Sequence, residues 1–327
     1  MGCEQNVTQL PARDFSKIVF LSNRESINRH FDIFIMQPDG SEQRNLTKGL
    51  KTIRTNSRPV LSPDQSKIIY VGFEIDSSGL QILDLETNKI DTLVWLKSAP
   101  DAEFSPQGEY LTFVQKIDKR RQIHTINADG TKTKNLSKNS YDEYNPSYSP
   151  DGRHIVYVSK RKDKYVICVM NLKSFEKKDV YSHNGKLDNP VFNSDGSLIA
   201  FSSMQNGISD IFLLTKNGEN VVNVTKRKSQ DRKPKFLPNG TDILFLSDER
   251  GVKYQDICRV NMDNLKIQNL TKSLSAIHKN VNITPDGKMI IFDSIKYGNS
   301  DIYKLELESG EFTNLTNHPG WDQASDI

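Results

Sequence analysis

Asn145-Pro146-Ser147-Tyr148-Ser149-Pro150-Asp151-Gly152-Arg153-His154-Ile155-Val156-Tyr157-Val158-Ser159 is the stretch that decides the fold, because shorter versions of it recur along the chain. Clear copies begin at Pro59, Asn189 and Val281, and weaker ones begin at Ala102 and Pro234. Aligned on the proline position, the copies are 43 to 47 residues apart. A fixed period of this length indicates repeated supersecondary units that pack against one another.

Each repeat contains the signals of four short strands. A Pro-x-Phe-Ser run is followed by a Ser-Pro-Asp-Gly turn, in which proline fixes one φ angle and glycine accepts a positive one. The second strand is apolar and β-branched, as in Ile155–Val158, and the third begins Asp-Ile-aromatic, as in Asp210–Phe212. The fourth ends in Asn-Leu-Thr, as in Asn269–Thr271. Four antiparallel strands in every ~45 residues predict the blade of a β-propeller.

Counting second strands predicts seven blades, although six or eight remain alternative interpretations. These strands start near Lys17, Lys67, Glu109, His154, Leu198, Asp242 and Lys288. The first of these repeats has no first strand in front of it, and Trp321–Ile327 resembles the approach to a first strand. We therefore expect the C-terminal segment to complete the first blade and close the ring, which removes exposed sheet edges. The prediction is an all-β protein with an N-terminal tail at 1–15 and a single propeller domain at 16–327.

Composition and the positions of the cysteines limit the class of protein and its cellular location. No run of 18 apolar residues occurs, so the sequence predicts no membrane-spanning helix. Cys168 and Cys258 occupy the same third-strand position two blades apart, and we expect both to be buried and unpaired. Cys3 follows Met1-Gly2 and suggests the lipidated cysteine of a bacterial lipoprotein whose signal peptide has been removed; the alternative is an ordinary N-terminal segment. Five Asn-x-Thr/Ser sequences, at Asn45, Asn135, Asn223, Asn269 and Asn314, coincide with fourth strands, which favours a structural role over glycosylation.

The ordered phrases Pro-x-Phe-Ser-Pro-Asp-Gly, Asp-Ile-Tyr and Asn-Leu-Thr resemble the TolB-type propeller repeat, a periplasmic relative of the WD repeat, over residues 16–327. The resemblance implies a propeller that binds partner proteins in the bacterial cell envelope, in the periplasm or at the cell surface, either secreted or lipid-anchored. TolB itself adds an N-terminal α/β domain to a six-bladed propeller. This chain departs from that plan in its short N-terminal segment and its seven predicted blades, so a role in the Tol–Pal system does not follow.

The two faces of the predicted ring differ in charge. One face carries the regular turns within blades, and the other, the irregular face, carries the second-to-third and blade-to-blade connections. The irregular connections contain 27 Lys and Arg residues and 13 Asp and Glu residues, a difference of +14, although the whole chain is only +3. Binding residues commonly lie on variable loops held by a rigid frame. A face this positive attracts anions, and the attraction weakens in salt.

Three basic clusters and several aromatic residues make up the candidate binding site on the irregular face. The predicted ligand-binding residues are Lys116, Lys119, Arg120, Arg121, Lys160, Arg161, Lys162, Lys164, Lys226, Arg227, Lys228, Arg232, Lys233, Trp95, Tyr141 and Tyr144. The ordinary interpretation of any single cluster is a solvated hairpin tip. Taken together they predict an anionic partner, either an envelope protein or a glycan, bound by a monomer. Nucleic acid is not indicated, because no recognition motif accompanies the charge.

An enzymatic alternative follows from the same resemblance. The sequence contains no Gly-x-Ser-x-Gly, His-Glu-x-x-His or phosphate-loop motif, and no cofactor is expected on the main hypothesis. Oligogalacturonate lyases, however, resemble TolB-type propellers and hold a divalent metal through histidines near the channel. His183, His278 and His318, with His30, fall in predicted irregular-face loops and would be the candidates for metal ligation or proton transfer.

Overall fold

The computed structural model describes residues 15–25, 30–49, 58–74, 77–96 and 102–327. Cys3 and the Asn6 sequon lie outside these described residues. The described chain forms 28 strands in seven four-stranded antiparallel sheets and contains no α-helix. The predicted seven-bladed, all-β propeller is therefore confirmed, and the alternatives of six or eight blades are excluded.

The strands follow the repeat from inner to outer position in each blade. Blade 1 contains β1 (Ile18–Ser22), β2 (Asp32–Met36) and β3 (Arg44–Asn45); blade 2 contains β4 (Val60–Leu61), β5 (Lys67–Glu74), β6 (Ser77–Asp84) and β7 (Ile90–Leu96). Blade 3 contains β8 (Ala102–Phe104), β9 (Tyr110–Ile117), β10 (Arg120–Asn127) and β11 (Lys134–Asn135); blade 4 contains β12 (Asp142–Tyr148), β13 (His154–Lys160), β14 (Tyr165–Asn171) and β15 (Lys177–His183).

The remaining blades repeat this arrangement. Blade 5 contains β16 (Leu187–Phe192), β17 (Leu198–Gln205), β18 (Ile208–Thr215) and β19 (Val222–Asn223); blade 6 contains β20 (Asp231–Phe236), β21 (Asp242–Ser247), β22 (Asp256–Asn261) and β23 (Ile267–Asn269). Blade 7 contains β24 (Ile277–Ile283), β25 (Met289–Lys296), β26 (Asn299–Glu306) and β27 (Phe312–Asn314), and β28 (Asp322–Asp326) pairs with β1 as the inner strand of blade 1.

The core lies between neighbouring blades and is built on the second and third strands. Every second strand places one aromatic ring at the same repeat position, with at most 2 % of the residue exposed. These rings belong to Phe20, Tyr70, Phe113, Tyr157, Phe201, Phe245 and Phe292. Burying one such side chain contributes about 2 to 3 kcal/mol. Cys168 and Cys258 are buried free thiols in β14 and β22, as predicted.

A shared hydrogen-bond arrangement holds the short outer strand of four blades. In blade 5, Asp210 accepts from the Asn223 amide at 2.8 Å and from the Thr225 hydroxyl at 3.1 Å. The same hydroxyl accepts from the Ile211 N–H at 3.1 Å. Blades 1, 6 and 7 repeat these bonds around Asp32, Asp256 and Asp301. The Asp-Ile-aromatic and Asn-x-Thr phrases therefore recur together because their side chains bind each other.

The C-terminal strand closes the ring. β28 pairs with β1, as the sequence predicted. The Asp293 carboxylate of blade 7 accepts from the backbone N–H groups of Ala324 at 2.6 Å and Ser325 at 3.2 Å, and from the Ser325 hydroxyl at 2.8 Å. On the other side, Asp326 accepts from the Leu61 N–H of blade 2 at 2.9 Å. One strand thus joins three blades.

The inner strands of five blades carry a β-bulge at a common position. In each, one residue adopts a positive φ of 48 to 57° while the strand register shifts against the second strand. The bulged residues are Asn145, Asn189, Lys233, Asn280 and Ala324. Asparagine tolerates this left-handed conformation better than most residues. Because a bulge redirects the side chains next to it, these positions set what the inner strands present to the centre of the ring.

The hydrogen-bond arrangement of the outer strand gives a first prediction. Thr225→Val keeps the shape of the side chain but removes the hydroxyl that bonds both Asp210 and the Ile211 N–H. We expect it to lower the free energy of unfolding by about 1 to 2 kcal/mol, measured by urea denaturation. Thr133→Val, at an exposed threonine in a turn, is the matched control and should change stability by less than about 0.5 kcal/mol. Equal effects from the two substitutions would contradict this role of Thr225.

Candidate functional site

The inner strands surround a central channel with a volume of about 1370 Å³. Its wall includes strand residues from blades 2 to 7 and from the closing strand β28. Asn23 and Trp321, which belong to irregular-face connections, also line it, so the channel opens on the face that the sequence analysis selected. Arg58, Glu103 and Lys235 are among the residues that line it, and the channel can therefore accommodate a hydrated or charged chain segment.

Charged residues cluster inside this channel. The Lys235 ammonium donates to Asn282 Oδ1 at 3.4 Å, and an Arg58 N–H donates to the same oxygen at 3.4 Å. A second Arg58 nitrogen lies 3.6 Å from Asp326 Oδ1. Glu103 and Lys233 also line the cavity. Burial, and next the positive charge of Arg58, lower the pKa of Lys235 to about 8, while the Asp326 and Glu103 carboxylates act in the opposite direction.

Sequence reasoning missed this group apart from Lys233. Lys235 occupies the repeat position held by Ser147 in blade 4 and Val191 in blade 5, as the strand registers show. The sequence signal for Lys235 is its place one residue after the proline of the inner strand. Because side chains alternate in direction along a strand, this position is directed towards the ring centre. The position tolerates serine, valine or lysine, so its identity carries no fold signal.

The predicted cluster at blade 3 lies on the β9–β10 hairpin, mostly within strands rather than in a loop. Arg120 and Arg121 lie 3.3 and 3.8 Å from Asp142, and Arg121 also covers the ring of Tyr144 with its guanidinium carbon 5.2 Å from the centroid. Lys116 and Lys119 are exposed, and neither forms a salt bridge with a described residue. Only the lysines of this cluster therefore remain available to a ligand.

The blade 4 cluster divides in the same way. Arg161 forms a bidentate ion pair with Asp179, with both N–O distances 2.6 Å, and its guanidinium carbon lies 5.2 Å from the centroid of the Tyr141 ring. The Arg161 hydrogen bonds keep the pKa of Asp179 below its usual range. Lys160, Lys162 and Lys164 are exposed.

The third cluster contains a structural arginine. Arg227 is mostly buried and contacts the fully buried Asp231 at 3.0 Å, Glu249 at 2.7 Å and the Ser247 hydroxyl at 3.1 Å. Its neighbours Lys226 and Lys228 are exposed. The other two members lie in strand β20 rather than in a connection: Arg232 bonds the Gln230 side chain at 2.9 Å, and Lys233 lines the channel.

Six lysines of the three predicted clusters thus remain as exposed cations, and we call them the rim lysines: Lys116, Lys119, Lys162, Lys164, Lys226 and Lys228. Lys160 is also exposed but is not counted among them, because its ammonium lies 5.8 Å from the centroid of the Tyr165 ring. None of the rim lysines forms a salt bridge within the described part of the chain. The aromatic residues are placed differently from the prediction. Trp95 belongs to the outer strand β7 and packs on Gly79, whereas Trp321, in the connection after blade 7, lines the channel.

The structure does not bring the candidate histidines together. His278 lies inside inner strand β24, not in a loop, and is fully buried against Phe292. His183 ends outer strand β15 in blade 4, while His318 lies in the connection after blade 7. The Nδ1 atoms of both accept local bonds, from the Gly185 and Gly320 N–H groups. In the described ranges, no three His, Cys, Asp or Glu residues are placed to hold a metal ion.

Fold and site together define a seven-bladed β-propeller whose channel and rim are rich in cations. The TolB β-propeller domain model matches residues 5–165 and 145–273, so the chain belongs to this family. Among curated proteins, a "Protein TolB homolog" from Chlorobium luteolum is 26% identical over 133 residues, which is 41% of this chain and 29% of that protein. The chain therefore matches less than a third of that relative's length.

Solved structures share the fold. TolB from Acinetobacter baumannii superposes with a TM-score of 0.61 at 16% identity, covering 98% of this chain and 68% of that one. An oligogalacturonate lyase in complex with manganese gives a TM-score of 0.70 at 15% identity, covering 94% and 86%. At these identities the likeness concerns the fold alone. Nowhere in the described ranges is there a helix long and apolar enough to span a bilayer.

The buried ion pair of Arg227 gives a second prediction. Arg227→Ala would leave the fully buried Asp231 without its cationic partner, and an uncompensated buried charge is costly. We expect the free energy of unfolding to fall by about 3 kcal/mol in thermal or urea denaturation. Lys226→Ala, one residue away and exposed, is the control and should have an effect below about 0.5 kcal/mol. A small effect of Arg227→Ala would instead favour a direct role in ligand binding.

His278 provides a third prediction, which concerns acid stability. Burial lowers its pKa to about 4 from a usual 6.5, and neither ring nitrogen has a hydrogen-bond partner in the structure. Since the unfolded chain takes up this proton first, stability should fall as pH decreases from about 6.5 to about 4. His278→Leu, which copies Leu187 at the same position of blade 5, should reduce this loss and raise stability at pH 7 by about 1 kcal/mol.

Urea denaturation across this pH range tests the effect of His278→Leu. The same substitution at the exposed His30 is the control, and it should change the free energy of unfolding at pH 7 by less than about 0.5 kcal/mol. If His278→Leu destabilised the protein at pH 7, the imidazole would have a polar role that its surroundings do not indicate.

Proposed function

We propose that this protein is a non-catalytic binding propeller of the bacterial cell envelope that recognises an acidic partner on its irregular face. The observation that carries the proposal is the division of the basic residues. Four of the five arginines in the three clusters form ion pairs within the fold, whereas the six rim lysines are exposed cations without such partners. Exposed lysines that stabilise nothing in the fold are free to attract an anion and to speed its encounter.

An acidic protein segment fits the surface better than an acidic glycan. Tyr141 and Tyr144, two of the aromatic residues predicted to bind the ligand, each have a guanidinium over one face. A sugar ring would require such a face for stacking, whereas side-chain carboxylates would contact the lysines directly. The family resemblance adds support, because it implies the binding of partner proteins. The envelope location, a lipid on Cys3 and action as a monomer belong to this proposal and follow from the same resemblance and sequence signals.

The lyase hypothesis has no comparable support in the described residues. His183, His278 and His318 lie in three separate surroundings, and two of them already bond backbone N–H groups through Nδ1. The carboxylates of the channel face cations rather than one another. We therefore assign the irregular face to binding.

A charge-reversal experiment tests the proposal. Lys116, Lys162 and Lys228, one from each cluster, are changed together to Glu. Binding of a fluorescein-labelled hexaglutamate peptide, followed by anisotropy at low ionic strength, should weaken roughly tenfold and become less dependent on salt. The control reverses Lys132, Lys173 and Lys288, which are exposed in regular turns of the opposite face, and should change the affinity less than about twofold.

The outcomes separate the hypotheses. Equal losses from the two triple variants would contradict a specific irregular face. Tighter binding of labelled hexagalacturonate than of hexaglutamate would make the glycan the partner class. Cleavage of hexagalacturonate in the presence of Mn²⁺ would establish the lyase in place of the binding propeller.

A further inference from the structure

Two cations inside the channel converge on one neutral oxygen. Lys235 and Arg58 each place a nitrogen 3.4 Å from Asn282 Oδ1, which is a long hydrogen bond in both cases. The orientation of this amide is fixed, because its nitrogen donates to the carbonyls of Asn280 at 3.1 Å and Ser325 at 2.8 Å. Asn282 therefore holds its oxygen towards the two cations without neutralising either.

Asp326 does not complete the pairing. Asp326 uses Oδ2 to accept from the Leu61 N–H, and its Oδ1 stays 3.6 Å from Arg58. Lys235 forms no salt bridge with any residue that the structure describes. An ammonium group held in a partly dehydrated cavity beside a guanidinium is unfavourable unless an anion joins them. The charge of Lys235 therefore destabilises the protein without ligand, and a bound anion would relieve this effect.

We infer that Arg58 and Lys235 form a carboxylate-binding subsite inside the central channel, which takes one carboxylate of the acidic segment proposed for the irregular face. This inference rests on the proposed function. A carboxylate has two acceptor oxygens, and here it would receive the planar N–H groups of Arg58 and the single point charge of Lys235. Its two oxygens would replace the weak bonds to Asn282. The rim lysines would attract the segment, and this pair would fix its position.

The protonation of Lys235 makes the subsite sensitive to pH. The charged groups that face it are Arg58 and Lys233, which disfavour its protonated form, and Asp326 and Glu103, which favour it. In the protein without ligand, the Lys235 ammonium loses its proton near pH 8. A carboxylate that needs the ammonium form should therefore bind less well as the pH rises above that value. Arginine does not titrate in this range, so Lys235 alone accounts for the effect.

The first test compares two methionine variants with the labelled hexaglutamate probe. Lys235→Met keeps most of the length of the side chain and removes a poorly solvated charge, so the variant should fold normally. Its affinity at pH 7 should fall roughly tenfold, and the loss of affinity between pH 7 and pH 9 seen in the unaltered protein should disappear. Lys279→Met removes an equal charge from another lysine that lines the channel and should change the affinity less than about twofold, with the pH dependence intact. Equal effects of the two variants would overturn the subsite.

A second test does not require the macromolecular partner. Acetylation of individual lysines by an N-hydroxysuccinimide ester is followed by peptide mass spectrometry, with sodium succinate or sodium chloride present at equal ionic strength. Succinate should slow the reaction at Lys235 about threefold or more, because the bound carboxylate favours the unreactive ammonium form, and should not affect Lys173, which is exposed on the opposite face. No selective protection overturns the subsite. Protection of Lys235 without hexaglutamate binding would support the subsite and refute the proposed function.

Discussion

The pairing of the last strand with the first is the interaction on which both the fold and the channel depend. β28 and β1 lie about 300 residues apart in sequence, so their contact is the most expensive in chain entropy and is formed only when the blades between them are placed. Asp293 and Asp326 extend the closure to the neighbouring blades through backbone N–H groups. The same strand supplies Ala324 to the channel wall and brings Asp326 towards Arg58. Closing the ring and building the channel are therefore one event.

The basic residues of the irregular face separate by chemistry. A guanidinium is planar and carries five N–H donors, so Arg227 can satisfy Asp231, Glu249 and Ser247 together, and Arg161 can satisfy both oxygens of Asp179. An ammonium on a flexible stem gains less from such pairing and stays hydrated. The arginines consequently stabilise the hairpins and connections, while the lysines remain accessible. A charge count from sequence treats the two residue types as equal and overstates the positive charge offered to a ligand.

The architecture could be predicted because it depends on local and periodic signals. The Ser-Pro-Asp-Gly turn can be recognised because its backbone angles require proline and glycine. Asp210 and Asn223 have counterparts at the same separation in other blades because the two side chains bind each other. The site could be predicted only in part. Placing the clusters on hairpin tips follows from strand count, but whether Arg227 faces solvent or a buried carboxylate depends on a neighbouring strand. His278 looked like a loop residue because its strand begins only one residue earlier, at Ile277, within the stretch 272–280 that the repeat pattern assigned to a blade-to-blade connection.

Functional information in this propeller is best sought where the fold imposes no requirement. One residue of every inner strand occupies the same place in the register and differs from blade to blade. The buried position of the second strand, in contrast, is aromatic in every blade. The variable positions are Val60, Glu103, Ser147, Val191, Lys235, Asn282 and Asp326. Since the blades supply the same strand pairing at each of these places, the difference among them lies in the chemistry of the side chains. Lys235, Asn282 and Asp326 come from three successive blades, so their meeting with Arg58 follows from the circular order of the blades.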